Sequence, residues 1–222
     1  MPRLEERIRS TLGGHGWSLE FDPNAPDGDT VDFKYPAGIP GALARGYIRR
    51  AVRLELGCRG EQIPCEEATL TPYAAEAFPG QFQVRSVKVN AIGPERTFWE
   101  KATNLHREYY RAEAGKPFTE RVFRHYHDVV VISKHPRGLG ALDDLNLLEQ
   151  VVEHKQHFFR EGGARYELAK KGTLRLTPGP QLEEALRRDY EKMREMYFGQ
   201  EPDFDAVMAD IRELEKAFNA RE

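Results

Sequence analysis

The chain changes its hydrophobic period once, at Gly93–Pro94, and this change limits most strongly what it can fold into. Before it, the stretches WSLEFD, TVDFKYP, VRLELG and VKVNAI alternate apolar and polar residues, as strands with one buried face do. After it, apolar residues recur at helical spacing. Pro94 suits the first turn of a helix, where a missing N–H leaves no hydrogen bond unmade. The sequence therefore predicts an α+β protein in which strands come first and helices follow.

Two regions follow from this pattern, residues 1–93 and residues 94–222. The first begins with an amphipathic helix, PRLEERIRSTL, which Gly13 and Gly14 are suited to end, and continues with a hairpin connected by PNAPDGD. The second is predicted to be entirely helical. Its helices are expected at about 95–113, 119–135, 142–160, 180–197 and 203–220.

Composition and charge make several classes of protein improbable. A net charge of −3 argues against a generally basic nucleic-acid coat, although a local basic groove remains compatible with it. Cys58 and Cys65 fit neither a disulfide framework nor a zinc spacing. The N-terminus has no apolar core of a signal peptide, and the longest apolar run, Val129 to Ile132, is far too short to span a bilayer. These features predict a soluble, cytoplasmic protein without membrane contact.

Lys101 lies at the edge of the apolar stripe of the helix predicted at 95–113. Phe98, Ala102 and Leu105 form this stripe at positions i, i+4 and i+7. Two interpretations are open. The lysine stem covers the core while its ammonium group reaches water, or the ammonium group contacts phosphates.

The next predicted helix carries a polar stripe of Arg121, Arg124, His125 and Asp128, at i, i+3, i+4 and i+7. One interpretation is a solvated face, with an Arg124–Asp128 pair worth a few tenths of a kcal/mol. The other joins this stripe to Lys101 across a short connection between helices. Cations and a carboxylate that face one cleft suit a triphosphate and its metal ions.

The stretch PERTFWEKATNLH, followed by RHYHDV, resembles the AbiEii/AbiGii nucleotidyltransferase-like toxins of type IV toxin–antitoxin systems. The likeness extends back through WSLEF, FKYP, VRLELG and TPYAAE. It implies a nucleotidyltransferase α/β core, here partial and spanning residues 1–93, followed by an all-helical C-terminal domain, residues 94–222. It also implies the transfer of a nucleoside monophosphate from an NTP, with Mg²⁺, to an acceptor such as a tRNA 3′ end. A cognate antitoxin is a further implied partner.

The resemblance also assigns roles to individual residues. Lys101 takes the place of the family's phosphate-contacting lysine, and Asp128 that of an aspartate in the later helix, so both are candidate catalytic residues. Arg124 takes the place of the accompanying arginine. The candidate substrate-binding residues are Arg124, Arg121, His125 and Arg96.

One part of the family pattern is not found, a glycine turn that leads to an Asp-x-Asp pair for the metal ions. Gly13–Gly14 and Asp27-Gly28-Asp29 match its spacing, but the second triplet lies in a hairpin connection and not on a strand. We therefore expect this chain to lack the block and to be inactive in transfer in this form. Glu55 is the candidate third carboxylate, both catalytic and metal-binding. An exposed polar residue on an antiparallel strand is an equally open interpretation of Glu55.

Three hypotheses result. The chain is a nucleotidyltransferase-like toxin, or a non-catalytic remnant that binds a nucleotide or RNA, or a protein that shares the fold alone.

Overall fold

The computed structural model describes residues 2–12, 16–22, 30–36, 51–57, 60, 63–197 and 199–220. The chain forms two compact units, Met1–Gly60 and Glu61–Glu222. The change from strands to helices falls at Pro94, where a helix begins. The predicted division at 93/94 thus coincides with a change of secondary structure, whereas the first compact unit ends at Gly60.

The first unit contains one described helix and an antiparallel sheet. These elements are α1 (Pro2–Leu12), β1 (Ser18–Phe21), β2 (Thr30–Lys34) and β3 (Val52–Glu55), with β2 in the middle of the sheet. Phe21 pairs with Val31, and the N–H of Asp22 donates to the carbonyl of Thr30 at 3.0 Å. β1 and β2 therefore form the predicted hairpin. Its connection, with Asp27-Gly28-Asp29, lies outside the described residues.

The second unit opens with an antiparallel strand pair. Its elements are β4 (Cys65–Leu70), the short helix α2 (Tyr73–Ala77) and β5 (Val87–Ile92). The guanidinium group of Arg137 joins this pair to the helix that follows it. Nη1 of Arg137 lies 2.5 Å from Glu66 of β4, and Nε lies 2.7 Å from Glu95, in the first turn of that helix. Arg137 thus ties the strand pair to the helical part of the unit through two carboxylates.

Helix α3 (Pro94–Glu113) runs through the core of the second unit. The side chains of Phe98, Trp99, Ala102 and Leu105 are completely buried. The indole Nε1 of Trp99 donates to the carbonyl oxygen of Ala141 at 3.0 Å, which satisfies its only polar atom. Burying each large side chain of this kind contributes about 1.5–3 kcal/mol. α3 is therefore the element on which the next three helices along the chain pack.

The remaining helices of the second unit are α4 (Phe123–Lys134), α5 (Pro136–Ala141), α6 (Leu145–Phe158), α7 (Pro180–Met193) and α8 (Phe204–Asn219). The five helices expected from periodicity are therefore confirmed, with ends that differ by a few residues. The short helix α5 was not predicted. The described elements bear out the α+β class with a helical C-terminal region. None of the described helices is long and apolar enough to cross a membrane.

A carboxylate of α7 determines where α4 begins. Asp189 is 3% exposed and accepts the backbone N–H groups of Arg121, at 2.7 Å, and Phe123, at 2.8 Å. Arg121 has a φ angle of 63°, in the left-handed region that non-glycine residues adopt infrequently. The helix consequently starts at Phe123. The sequence had predicted a start near residue 119. The capping carboxylate is distant in sequence, so periodicity could not reveal it.

Residues 174–177 form an irregular segment whose backbone is held by three side chains, His106 of α3 and Glu215 and Asn219 of α8. Asn219 bonds both the N–H and the carbonyl of Leu174, at 3.2 and 2.9 Å. Nδ1 of His106 accepts the next N–H at 3.0 Å, and Glu215 accepts the two after that. We call residues 174–177 the strap, because they link α3 to α8.

Candidate functional site

Lys101 of α3 and Asp128 of α4 lie side by side. Nζ of Lys101 is 3.3 Å from Oδ2 of Asp128 and 3.2 Å from Nδ1 of His125. The side chains of Lys101 and Asp128 are 27% and 39% exposed, so a solute can reach both. The predicted contact between the two helices is therefore confirmed. The roles of these residues in catalysis stay predictions.

The apolar faces of α3 and α4 bring these polar side chains together. The buried residues of α4 are Phe123, Tyr126, Val129 and Val130. His125 and Asp128, three residues apart, share a different side of the helix. On α3, Lys101 directly precedes the buried Ala102. Because the apolar faces pack against each other, polar residues at their edges meet where the helix pair reaches solvent.

The imidazole of His125 is electrically neutral at physiological pH. Burial and, in decreasing order of importance, the nearby charges of Lys101, Arg124, Lys155 and Arg107 together lower its pKa to about 3. An ammonium group has donors only, so Nδ1 of His125 accepts from Lys101 and the ring proton resides on Nε2. Four cations from three helices therefore lie near one uncharged ring.

Two of the predicted substrate-binding residues lie close to this region in sequence but differ in setting. Arg124 is exposed on α4, and its positive charge contributes to the lowered pKa of His125. Arg121 lies in the turn before α4, outside the helix on which the predicted stripe placed it. Its backbone N–H is committed to Asp189. The substrate-binding roles of Arg121, Arg124 and His125 stay predictions.

Arg96 occupies a different kind of position. Its side chain is 1% exposed, and Nη1 donates to the carbonyl oxygen of Ile63 at 2.7 Å. Nη2 lies 3.3 Å from Oε1 of Glu100. Nε has no hydrogen-bond partner among the described residues. These contacts suit a structural role for Arg96 better than substrate binding, because a ligand would have to displace the packing around it.

Glu55, the proposed third carboxylate, belongs to the first compact unit. It lies on β3 opposite Thr30, and its side chain is exposed. Its neighbour Arg53 donates from Nε and Nη2 to the two carboxylate oxygens of Asp32, at 2.8 and 3.0 Å. Glu55 thus has the setting expected of an exposed strand residue, and its catalytic and metal-binding roles stay predictions.

One charged residue whose field reaches Lys101 was not predicted from the sequence. Lys155 of α6 is 4% exposed, and its ammonium group donates to the carbonyl of Glu100 at 2.9 Å and to Oδ1 of Asn104 at 2.7 Å. The spacing of Leu147, Val151 and Lys155 puts all three on one face of α6. A lysine that continues an apolar stripe is the signal that could have revealed it.

Residues 1–210 match the family described as nucleotidyl transferase AbiEii toxin, type IV TA system. The chain belongs to the AbiEii family. No curated protein and no solved structure matches it. The family is one of nucleotidyltransferase toxins from type IV toxin–antitoxin systems, so an antitoxin is an implied partner of this AbiEii protein.

The described residues of the AbiEii chain do not by themselves fit a Mg²⁺ site. Among them no group of three or more His, Cys, Asp or Glu side chains is arranged to hold a metal ion. Mg²⁺ is commonly held by one or two carboxylates with water and substrate phosphates, and Asp128 is already paired with Lys101. Asp27-Gly28-Asp29 lies outside the described residues.

We expect the AbiEii protein to lose stability as the pH falls below about 6.5, where histidines of the unfolded chain take up protons. Burial lowers the pKa of both His106 and His125 in the folded protein, so the folded state binds fewer protons than the unfolded state over this range. The stabilisation is complete above about pH 6.5. At about pH 5, His125 alone should reduce the free energy of unfolding by roughly 2 kcal/mol.

Urea unfolding of wild type and His125→Asn, carried out above about pH 6.5 and again at about pH 5, tests this expectation. The variant should lose less stability on acidification than the wild type. His157→Asn, at an exposed histidine of α6, is the matched control and should retain the wild-type loss. An NMR titration that placed the His125 pKa near that of a free histidine would contradict the assignment.

Proposed function

We propose that this AbiEii protein is a nucleotidyltransferase-like toxin that binds the triphosphate of an NTP at Lys101 and Arg124, beside the boundary of α3 and α4. The observation that supports this most directly is the position of the Lys101 ammonium group, 3.3 Å from Asp128 and 3.2 Å from His125, with part of its surface open to solvent. The neutral His125 and the paired Asp128 hold the side chain of Lys101 without burying it.

Each side chain has a distinct part in this proposal. Lys101 contacts a phosphate as a point charge, and the planar guanidinium of the exposed Arg124 makes forked contacts to phosphate oxygens. Asp128 orients Lys101 and is displaced in part when a phosphate binds. His125 stays uncharged and limits local repulsion among the cations. Lys101 and Arg124 together would stabilise negative charge that develops on the leaving phosphates.

The reaction proposed for a toxin of this family transfers a nucleoside monophosphate to an acceptor hydroxyl, with tRNA as one acceptor class. The hydroxyl oxygen forms a bond to the α-phosphorus, and the bond from that phosphorus to the bridging oxygen of the β-phosphate breaks. Pyrophosphate leaves, and the hydroxyl proton passes to solvent. NTP, RNA and an antitoxin are the corresponding partners, and the cytoplasm supplies the first two.

A second candidate is a non-catalytic protein that binds a nucleotide or RNA at the same place. The departure from the family's Asp-x-Asp pattern favours it, because metal-binding carboxylates provide much of the charge stabilisation in phosphoryl-type transfer. The two candidates share the binding step and differ in transfer.

We expect the 222-residue polypeptide to bind NTP and to show little or no transfer of labelled nucleotide to RNA. Calorimetric titration with each NTP measures binding, and incubation of radiolabelled NTP with total tRNA and Mg²⁺ measures transfer. Bound phosphates should also raise the pKa of His125, because they offset the neighbouring cations. Robust labelling of RNA would overturn the expected inactivity, and a failure to bind any NTP would overturn the proposed site.

A further inference from the structure

The described polar contacts of the Lys155 ammonium group all lie within one turn of α3. Its ammonium group donates to the carbonyl of Glu100 at 2.9 Å and to Oδ1 of Asn104 at 2.7 Å, and it lies 3.3 Å from Oε2 of Glu100. An ammonium group has three donors, so these three oxygens can satisfy it completely. Lys101 lies between Glu100 and Asn104 in the sequence, on the turn that Lys155 holds.

The stability of the whole fold does not by itself explain why residue 155 is a lysine. Burial lowers the pKa of Lys155 to about 8, against the opposing effect of Glu100, so the fold resists the charged form. Replacing a buried ion pair by packed apolar side chains is often neutral or stabilising, so a buried pair of charges is weak evidence for a role in stability. A leucine or methionine on this face of α6 would continue the stripe of Leu147 and Val151. The charge of Lys155 therefore calls for a reason that is local to its partners.

The carboxylate of Glu100 is held from two sides. Lys155 contacts one oxygen, and Nη2 of Arg96 contacts the other at 3.3 Å. Arg96 is itself anchored to the carbonyl of Ile63. This row of contacts fixes the α6-facing side of the turn, while Lys101 extends from the same turn to α4. The local backbone that carries Lys101 is thus restrained from both sides.

The charge of Lys155 also acts on Lys101 directly. The two ammonium groups are close enough for Lys101 to contribute to the lowered pKa of Lys155. Their repulsion favours a Lys101 side chain that points away from α6, towards Asp128. The charged groups around Lys155 are Glu100, Lys101 and Arg107 of α3, and from α4 its charge also acts on His125.

We propose that Lys155 is a positioning residue for Lys101, which it holds in place through the α3 turn and directs towards Asp128 by charge repulsion. This inference rests on the proposed function only in that Lys101 binds the phosphates of an NTP. The geometric part can be tested without any nucleotide.

The test compares wild type with Lys155→Met, whose unbranched side chain is one atom shorter and carries no charge. NMR of the lysine ammonium and ε-carbon groups, with the Lys101 signals assigned from Lys101→Ala, should show a clear shift of Lys101 in Lys155→Met. ATP affinity should fall by about 5- to 20-fold. The thermal midpoint should fall moderately, because Asn104 and the carbonyl of Glu100 lose a buried donor, while the carboxylate of Glu100 keeps its contact with Arg96. Lys134→Met, at an exposed α4 lysine paired with Asp210, is the matched control and should change none of these quantities.

A pH series on the wild type supplies a second measurement that needs no substitution. Between about pH 7 and about pH 9.5 Lys155 loses its proton, so ATP affinity should fall with a midpoint near the Lys155 pKa of about 8. Lys155→Arg keeps its charge over this range and should lack that midpoint. This comparison also applies if Lys155→Met fails to fold.

The outcomes separate the two proposals. Unshifted Lys101 signals with wild-type ATP affinity in Lys155→Met would overturn the positioning role and leave nucleotide binding intact. A lowered thermal midpoint with unchanged affinity would likewise assign Lys155 to stability alone and overturn it. Shifted Lys101 signals in a protein that binds no ATP would support positioning and overturn the proposed function.

Discussion

Replacement of Lys101 by alanine is expected to weaken NTP binding by about 10- to 100-fold, because one charge-assisted contact to a phosphate is lost. The thermal midpoint should change little, since the Lys101–Asp128 pair is partly exposed and such pairs contribute at most about 1 kcal/mol. Calorimetric titration of ATP and GTP into both proteins measures the first effect, and thermal unfolding measures the second.

Lys134→Ala is the matched control for this substitution. Lys134 also lies in the helical unit, pairs with a carboxylate, Asp210 at 2.7 Å, and has a side chain that is 64% exposed. It should bind NTP as the wild type does. If Lys101→Ala and Lys134→Ala bind nucleotide equally well, Lys101 is a surface lysine whose stem covers the core.

Replacement of Asp189 by alanine should produce the largest loss of stability among the substitutions considered, roughly 2–4 kcal/mol. The buried carboxylate accepts the N–H groups of Arg121 and Phe123, and both donors would lose their acceptor. The left-handed backbone of Arg121 would also lose the contact that supports it. Urea unfolding, monitored by far-UV circular dichroism, measures the change in the free energy of unfolding.

Asp203→Ala provides a comparison for the loss at Asp189. Asp203 is an exposed N-cap that accepts one N–H, from Ala206 at 2.8 Å. Its replacement should cost about 1 kcal/mol, as for other caps in peptides and proteins. Equal losses in the two variants would show that the second hydrogen bond and the burial of Asp189 contribute nothing.

Local pattern was sufficient for most elements and for the central contact of the candidate site. The stretches WSLEF and TVDFK contain β1 and β2, and the stripe of Phe98, Ala102 and Leu105 is buried in α3. The contact of Lys101 with Asp128 followed because both lie at the edges of apolar faces on consecutive long helices. Such inferences need only the residues of the elements themselves.

The sequence could not reveal features that depend on distant partners. The start of α4 depends on Asp189, which lies 66 residues after Phe123. The burial of Arg96 depends on the carbonyl of Ile63, and motif position alone had suggested a substrate-binding residue. Lys155 was overlooked because its partners, Glu100 and Asn104, lie on another helix. Periodicity reports which face of a helix is buried, but not what each polar atom on that face contacts.

The strap has a consequence for the order in which the chain can fold. Among the described side-chain hydrogen bonds to the backbone of residues 174–177, Glu215 and Asn219 of α8 supply four and His106 of α3 supplies one. α8 leaves the ribosome well after the strap does, and domains tend to assemble as synthesis proceeds. The strap therefore remains a loop beside a nearly finished core until α8 docks. Docking of α8 then completes the hydrogen bonds of a segment that was synthesised some forty residues earlier.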